Sequence, residues 1–139
     1  MKALVIGAGG VGRAIANIAS RRSFIESMVI ADRTLARAEE AVARVKDPRF
    51  SAAMVNAAEL EDVRELIRKA DPDVVINAVD PRFVMPIFLA CEIENTNYVD
   101  MQCHYRESIL TIHIPKLELN WEMSNLLEIS TGMSEKSLP

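Results

Sequence analysis

Met1-Lys2-Ala3-Leu4-Val5-Ile6-Gly7-Ala8-Gly9-Gly10-Val11-Gly12 opens the chain, and its reading decides the fold. Residues 3–6 are a wholly apolar run of strand length, the pattern of a strand whose sheet is covered on both faces. The run passes without a linker into Gly7-x-Gly9-x-x-Gly12, and a helical period follows at once. The spacing predicts Val11, Ile15, Ile18 and Ala19 on the buried face of that helix, with Arg13, Asn17 and Ser20 toward solvent. Strand, glycine turn and helix in this order set a helix N-terminus at the carboxyl end of a strand, where a phosphate is favoured by free amides and by the helix dipole.

Strands and helices keep alternating beyond this unit. Residues 28–31 read as a second strand ending at Asp32. Thr34 is the expected N-cap of a helix that runs to about Val45 and buries Leu35, Ala38, Ala41, Val42 and Val45. Asp47-Pro48 stops it. A third strand is expected over 50–55, a third helix over 58–70, a fourth strand over 74–79, a fourth helix over about 83–92 with Pro86 in its first turn, and a fifth strand over 98–101. Such alternation implies parallel βαβ units with right-handed crossovers. The predicted fold is therefore α/β, a doubly wound parallel sheet of Rossmann type with strand order 3-2-1-4-5, occupying residues 1–105. Residues 106–139 lose the rhythm. Ile112, Ile114, Leu117, Leu119, Trp121 and Met123 suggest extended edge structure, and residues 131–139 a loose polar tail. Leu117, Leu119 and Trp121 are expected to cover a sheet edge or to pair with another chain, which allows a homodimer.

The glycine loop has the context that gives its motif meaning, because Asp32 lies twenty residues past Gly12 at the expected end of the second strand. Gly7 permits the tight turn, Gly9 lets backbone approach a pyrophosphate, and Gly12 lets helix pack on strand. The amides of Gly9, Gly10 and Val11 face the phosphates. Asp32 can accept from a ribose 2′-hydroxyl and would repel a 2′-phosphate, which favours NAD. Arg33, Thr34 and, one turn on, Arg37 flank that position, so NADP is also open. Asn56 is expected near the adenine, and Asn77, Ala78 and Val79 along the path to the nicotinamide ribose. The competing reading, a glycine-rich turn that only connects strand to helix, leaves the position of Asp32 without a reason.

Composition excludes several other classes. Of 139 residues half are hydrophobic but only 5% aromatic, so the core must be aliphatic. A formal net charge of −4 lacks the basic excess of a nucleic-acid partner. No apolar run reaches the roughly 18–20 residues of a membrane span. Lys2 before an apolar run resembles the start of a short signal peptide, but Arg13, Arg21 and Arg22 follow too soon, and a cytoplasmic location is expected. Cys91 and Cys103 read as free thiols, and with His104 and His113 they match no metal-ligand spacing. The charge run over 59–69 reads as a solvated helix face.

The opening dodecapeptide, Ala31-Asp32-Arg33-Thr34, Asp73-Val74-Val75-Ile76-Asn77-Ala78 and Asn97-Tyr98-Val99-Asp100 together resemble the saccharopine dehydrogenase family, over about the first hundred residues. The resemblance implies an NAD or NADP enzyme that oxidises a secondary amine joining two amino-acid-like halves, or runs the reverse condensation, on a small amino-acid-like substrate. Asp100 matches an aspartate in the family's strand-end motif and is the candidate catalytic residue. His104 beside it can serve as acid or base, although a lone histidine after a strand is more often a loop residue. Family members carry a large second domain after the fifth strand, and residues 109–139 do not resemble it. This chain is therefore expected to be the cofactor-binding part of a longer enzyme or a shortened relative. The alternative is a non-catalytic module that binds a dinucleotide and reports its level.

Overall fold

Period-two alternation in the apolar first strand decides which helix covers which face. In the computed structural model, which describes residues 1–100 and, beyond them, the backbone of three two-residue strands, this strand is Lys2–Ile6 (β1). Ala3 and Val5 point into one core and Leu4 and Ile6 into the other. The order continues Gly10–Ala19 (α1), Ser27–Asp32 (β2), Leu35–Val45 (α2), Phe50–Met54 (β3), Leu60–Ala70 (α3), Val74–Asn77 (β4), a 3-10 turn over Pro81–Phe83, Val84–Ile93 (α4) and Asn97–Asp100 (β5). β1 to β5 pair in parallel in the order 3-2-1-4-5, as the alternation predicts. Cys103–His104 (β6) and Glu107–Ser108 (β7) form a hairpin, and Ile112–His113 (β8) runs antiparallel beside β5.

Two aliphatic cores follow from the two faces. On one, Val63, Leu66 and Ile67 of α3 and Ile87, Ala90 and Cys91 of α4 meet Leu4, Ile6, Val75 and Tyr98. On the other, Ala16 and Ala19 of α1 and Ala38 and Ala41 of α2 meet Val5, Met28, Ile30 and Phe50. Fully burying a side chain the size of Val or Ile contributes roughly 1.5–3 kcal/mol, so these strands hold the sheet whatever their propensities. Cys91 belongs to the first of these cores, where burial pushes its thiol up to about 12.

The helix faces differ from the periodicity reading in one instructive way. α1 buries Gly12, Ala16 and Ala19, while Val11 and Ile18 are 44% and 57% exposed. A helix that must lie against the glycine turn has room only for small residues on that side. α2 likewise buries Ala38 and Ala41 and leaves Leu35 exposed. Side-chain hydrogen bonds set several element ends: Asn56 Oδ1 accepts from the Ala58 amide, delaying α3 until Leu60, and Asn77 Oδ1 accepts from the Val79 amide, ending β4 at Asn77 rather than at residue 79. The charge run is not wholly solvated either. Arg64 Nε donates to Glu94 at 2.8 Å and ties α3 to the end of α4.

At the amino ends of the strands Arg49 acts as a clamp. It donates to the carbonyls of Ser20 (2.8 Å), Arg22 (3.0 Å) and Ile25 (2.7 Å), closing the loop between α1 and β2, and to Asp47 at 2.7 Å. Hydrogen bonds from Arg49 hold the Asp47 carboxyl below the usual carboxylate range. The stability this lowered pKa contributes is complete above the unfolded value of about 3.9 and is lost as pH falls through the lower folded value. Arg49→Met should therefore reduce the Tm at pH 7, and its gap from the parent should narrow as the pH falls below about 4. Thermal unfolding followed by circular dichroism at pH 7 and pH 3 checks this, and a gap of equal size at both would contradict it.

Candidate functional site

β1 and β4 are neighbours in the sheet but lie on opposite sides of its order reversal, and ligands of doubly wound sheets bind at the carboxyl ends beside such a switch point. The turn leaving β1 is built for close approach. Gly7 has φ +116°, a region that L side chains rarely adopt, and its amide donates to the Ala31 carbonyl at 2.7 Å. A Cβ there would stand 2.6 Å from the Ala78 carbonyl oxygen. A Cβ on Gly12 would drive into the Gly7 carbonyl, so the first turn of α1 rests on the turn itself.

Gly9 and Gly10 differ from these two, because the space beside them is open. The nearest atom to a Cβ on Gly9 is Arg37 Nη2 at 3.8 Å, and around Gly10 nothing lies within 4 Å. Gly9 is the N-cap of α1 and makes no side-chain cap, and the first turn carries no acid. The first helical bond runs from the Arg13 amide to the Gly9 carbonyl (3.0 Å), so the amides of Gly10, Val11 and Gly12 precede it. Open space over an uncapped helix N-terminus fits a pyrophosphate, which a Cβ at Gly9 would crowd.

Asp32 links this loop to the next helix. Its Oδ2 accepts from the Ala8 amide and its Oδ1 from the Thr34 amide, each at 2.9 Å. Thr34 is the N-cap of α2 as expected, but its hydroxyl makes no cap bond. Beside Asp32 a pocket of about 370 Å³ brings together Arg33, Asn56 and Val79 with Arg37. Among the described residues Arg33 and Arg37 have no ion-pair partner. Sequence reasoning missed Ala57, Ala58 and Phe83 in the pocket wall. Phe83 has a signal in hindsight: Asp80 Oδ1 accepts from the Arg82 amide and starts the 3-10 turn that swings Phe83 inward.

Asn77 stands apart from the pocket wall, only 3% exposed, as does Asp100 at 2%. They are joined through Tyr98. The Val79 amide donates to Asn77 Oδ1 (3.1 Å), Asn77 Nδ2 to the Tyr98 hydroxyl (3.0 Å), and that hydroxyl to Asp100 Oδ2 (2.7 Å). Burial first, then the hydrogen bond to Asp100, pushes the Tyr98 phenol well above its usual range, so it stays a donor. The chain of bonds fixes the Asn77 amide and presses the segment with Ala78 and Val79 onto Gly7. The side chains of Cys103, His104, Tyr105, His113 and Trp121 lie outside the described residues.

A doubly wound sheet with a glycine loop, an open helix N-terminus and an acid at the end of β2 defines a dinucleotide-binding domain. Residues 3–123 match the family described as the saccharopine dehydrogenase NADP binding domain, and the chain belongs to that family. The match extends past residue 109, into the segment whose sequence showed no resemblance. The chain is 33% identical over 109 residues to carboxynorspermidine synthase of Vibrio cholerae, covering 72% of this chain and 26% of that protein. It is 25% identical over 121 residues to carboxyaminopropylagmatine dehydrogenase of Synechocystis, covering 87% and 29%. It thus spans about a quarter of the length of these relatives. In fold it is similar to saccharopine dehydrogenase (L-Glu forming) of Saccharomyces cerevisiae, with a TM-score of 0.65, 20% identity, and 76% of this chain and 22% of that one covered.

The two kinds of glycine predict two kinds of variant. Gly9→Val should leave the Tm within about 2 °C of the parent, because the side chain enters open space, while abolishing dinucleotide binding. Gly12→Ala should destabilise by about 1–3 kcal/mol through overpacking. Thermal unfolding with parallel calorimetry separates them, and a Gly9→Val chain that still binds would refute the assignment.

Proposed function

We propose that this chain holds NADP(H) for an oxidoreductase that acts on a CH–NH bond of an amino-acid-derived secondary amine. The observation that carries the reading is the uncapped start of α1 over open space, adjoining a pocket that contains Arg33 and Arg37. Gly9, Gly10, Val11 and Gly12 hold the pyrophosphate by their backbone, with Gly7 setting the turn. Asp32 taken alone favours NAD. Its two oxygens already receive the Ala8 and Thr34 amides, which offset its charge, and the two guanidinium groups beside it, without an ion-pair partner among the described residues, suit a 2′-phosphate. Asn56 borders the adenine, and Ala78 and Val79 border the path to the nicotinamide.

The nicotinamide, when bound, supplies the hydride acceptor or donor; the residues of this chain orient it and exclude water. The names of the relatives, a carboxynorspermidine synthase and a carboxyaminopropylagmatine dehydrogenase, support an amine substrate. Its binding residues then belong to protein beyond the dinucleotide-binding unit, which we set at 1–105, with 106–139 as an extension. Asp100 was the sequence candidate for catalysis. Its burial and its bond from Tyr98 favour positioning: it holds Tyr98, which holds Asn77. A location in the cytoplasm fits the free thiol of Cys91, and among the described residues no helix is long and apolar enough to cross a membrane.

Calorimetric titration of the chain with NADPH, NADP, NADH and NAD tests the reading. NADPH should bind more tightly than NADH, and Arg33→Ala with Arg37→Ala should cost about tenfold or more in NADPH affinity with little effect on NADH. A folded chain that binds no dinucleotide would contradict the proposal. Equal loss for both cofactors would remove the 2′-phosphate from it.

A further inference from the structure

Among the described residues β3 ends the sheet on one side, and no strand lies beside its outer backbone groups. Hydrogen bonds from the Met28 amide to the Arg49 carbonyl (3.0 Å) and from the Val55 amide to the Asp32 carbonyl (3.1 Å) fix the alternation along β3. The backbone of Ser51 and Ala53 therefore faces β2, while the Ala52 amide and carbonyl, the Met54 amide and the Phe50 carbonyl face outward. Natural edge strands carry lysine, proline or a bulge that prevents pairing. Phe50-Ser51-Ala52-Ala53-Met54 carries none of these.

We propose that β3 pairs with itself: two copies of this chain join antiparallel through Phe50–Met54 about a two-fold axis at Ala52, and the sheet runs on across the dimer. In that register the two Ala52 residues exchange both of their hydrogen bonds, and each Met54 amide meets the Phe50 carbonyl of the second copy. The Phe50 amide is already given to the Asp47 carbonyl at 3.1 Å, so the ladder closes there.

Charge on the neighbouring helix fits the same axis. A groove of about 500 Å³ runs between β3 and α3, with Asp62, Glu65 and Lys69 along its α3 side. As the crossover between two parallel strands, α3 runs opposite to β3, so both acids lie toward one end of the groove and the lysine toward the other. Among the described residues none of the three has an ion-pair partner. A two-fold axis through β3 reverses the second helix and sets its Lys69 opposite Asp62 and Glu65 of the first, as the self-complementary surface of an isologous dimer requires. It also covers Met54, which is 67% exposed at the edge.

Sedimentation of the full 139-residue chain from micromolar to near-millimolar concentration tests this. The chain should form a reversible dimer. Ala52→Pro removes an outward amide and no bond to β2, a place where a strand tolerates proline; it should keep its circular dichroism and sediment as a monomer. Lys69→Glu should raise the dimer dissociation constant by about tenfold, and the full reversal Asp62→Lys, Glu65→Lys and Lys69→Glu should recover the parent value. A chain that stays monomeric throughout, or a folded Ala52→Pro variant that still dimerises like the parent, would overturn the proposal. If Ala52→Pro fails to fold, the charge variants decide: dimerisation left at the parent value by Lys69→Glu refutes this interface.

Discussion

How closely α1 can approach the end of β1 governs the whole carboxyl end of this sheet. The first turn of α1 lies on the carbonyl of Gly7, and Gly7 in turn lies under the carbonyl of Ala78, leaving no room for a Cβ at Gly12 or Gly7. That double contact fixes three segments against one another: the turn after β1, the start of α1 and the segment after β4. It explains why the buried face of α1 is Gly12, Ala16 and Ala19, since larger residues would hold the helix away from the turn. It also aims the free amides of α1 into open space beside Arg37. The helix dipole and those amides attract an anion only because the packing beneath them keeps them in place.

Around that contact the polar groups act as struts. Asp32 ties the glycine loop to the start of α2, and the line from Val79 through Asn77 and Tyr98 to Asp100 ties the segment after β4 to β5. Both lie at strand ends where backbone ladders stop, so side chains must satisfy what the sheet no longer can. A carboxylate that receives a hydrogen bond costs less to bury than an unpaired one, and Asp100, at 2% exposure, accepts from the Tyr98 hydroxyl at 2.7 Å. Rigidity of this kind matters for a site that must hold a long, flexible cofactor with its reactive ring in one place.

The fold was legible in the sequence because both of its signals are strong. Wholly apolar strands such as residues 3–6 occur where both faces are covered, and βαβ alternation permits few topologies. The glycine turn was legible because the spacing of Gly7 and Gly12 implies a tight turn and a close helix, and at both positions a Cβ has no room. Helix faces were less legible: Val11 and Ile18 have the right spacing, but a close crossing favours small residues over large ones, and periodicity does not report that distance. The role of Asp100 depends on Tyr98 standing two residues away on the same face of β5, with its hydroxyl bent back to the carboxylate. Phe83 reached the pocket through the local turn started by Asp80. Ile112 suggested extended structure where β8 lies, but the choice of β5 as its partner is long-range and no local pattern announces it.

The central claim is that the amides at the start of α1 and the pocket beside Asp32 form one cofactor site in this chain. Amide chemical-shift mapping during titration with NADPH tests it most directly. The account predicts the largest shifts at Gly9, Gly10, Val11 and Gly12, with a second group at Arg33, Arg37 and Asn56, all saturating together. Absent shifts, or shifts that cluster elsewhere on the sheet while Gly9 to Gly12 stay unmoved, would contradict it.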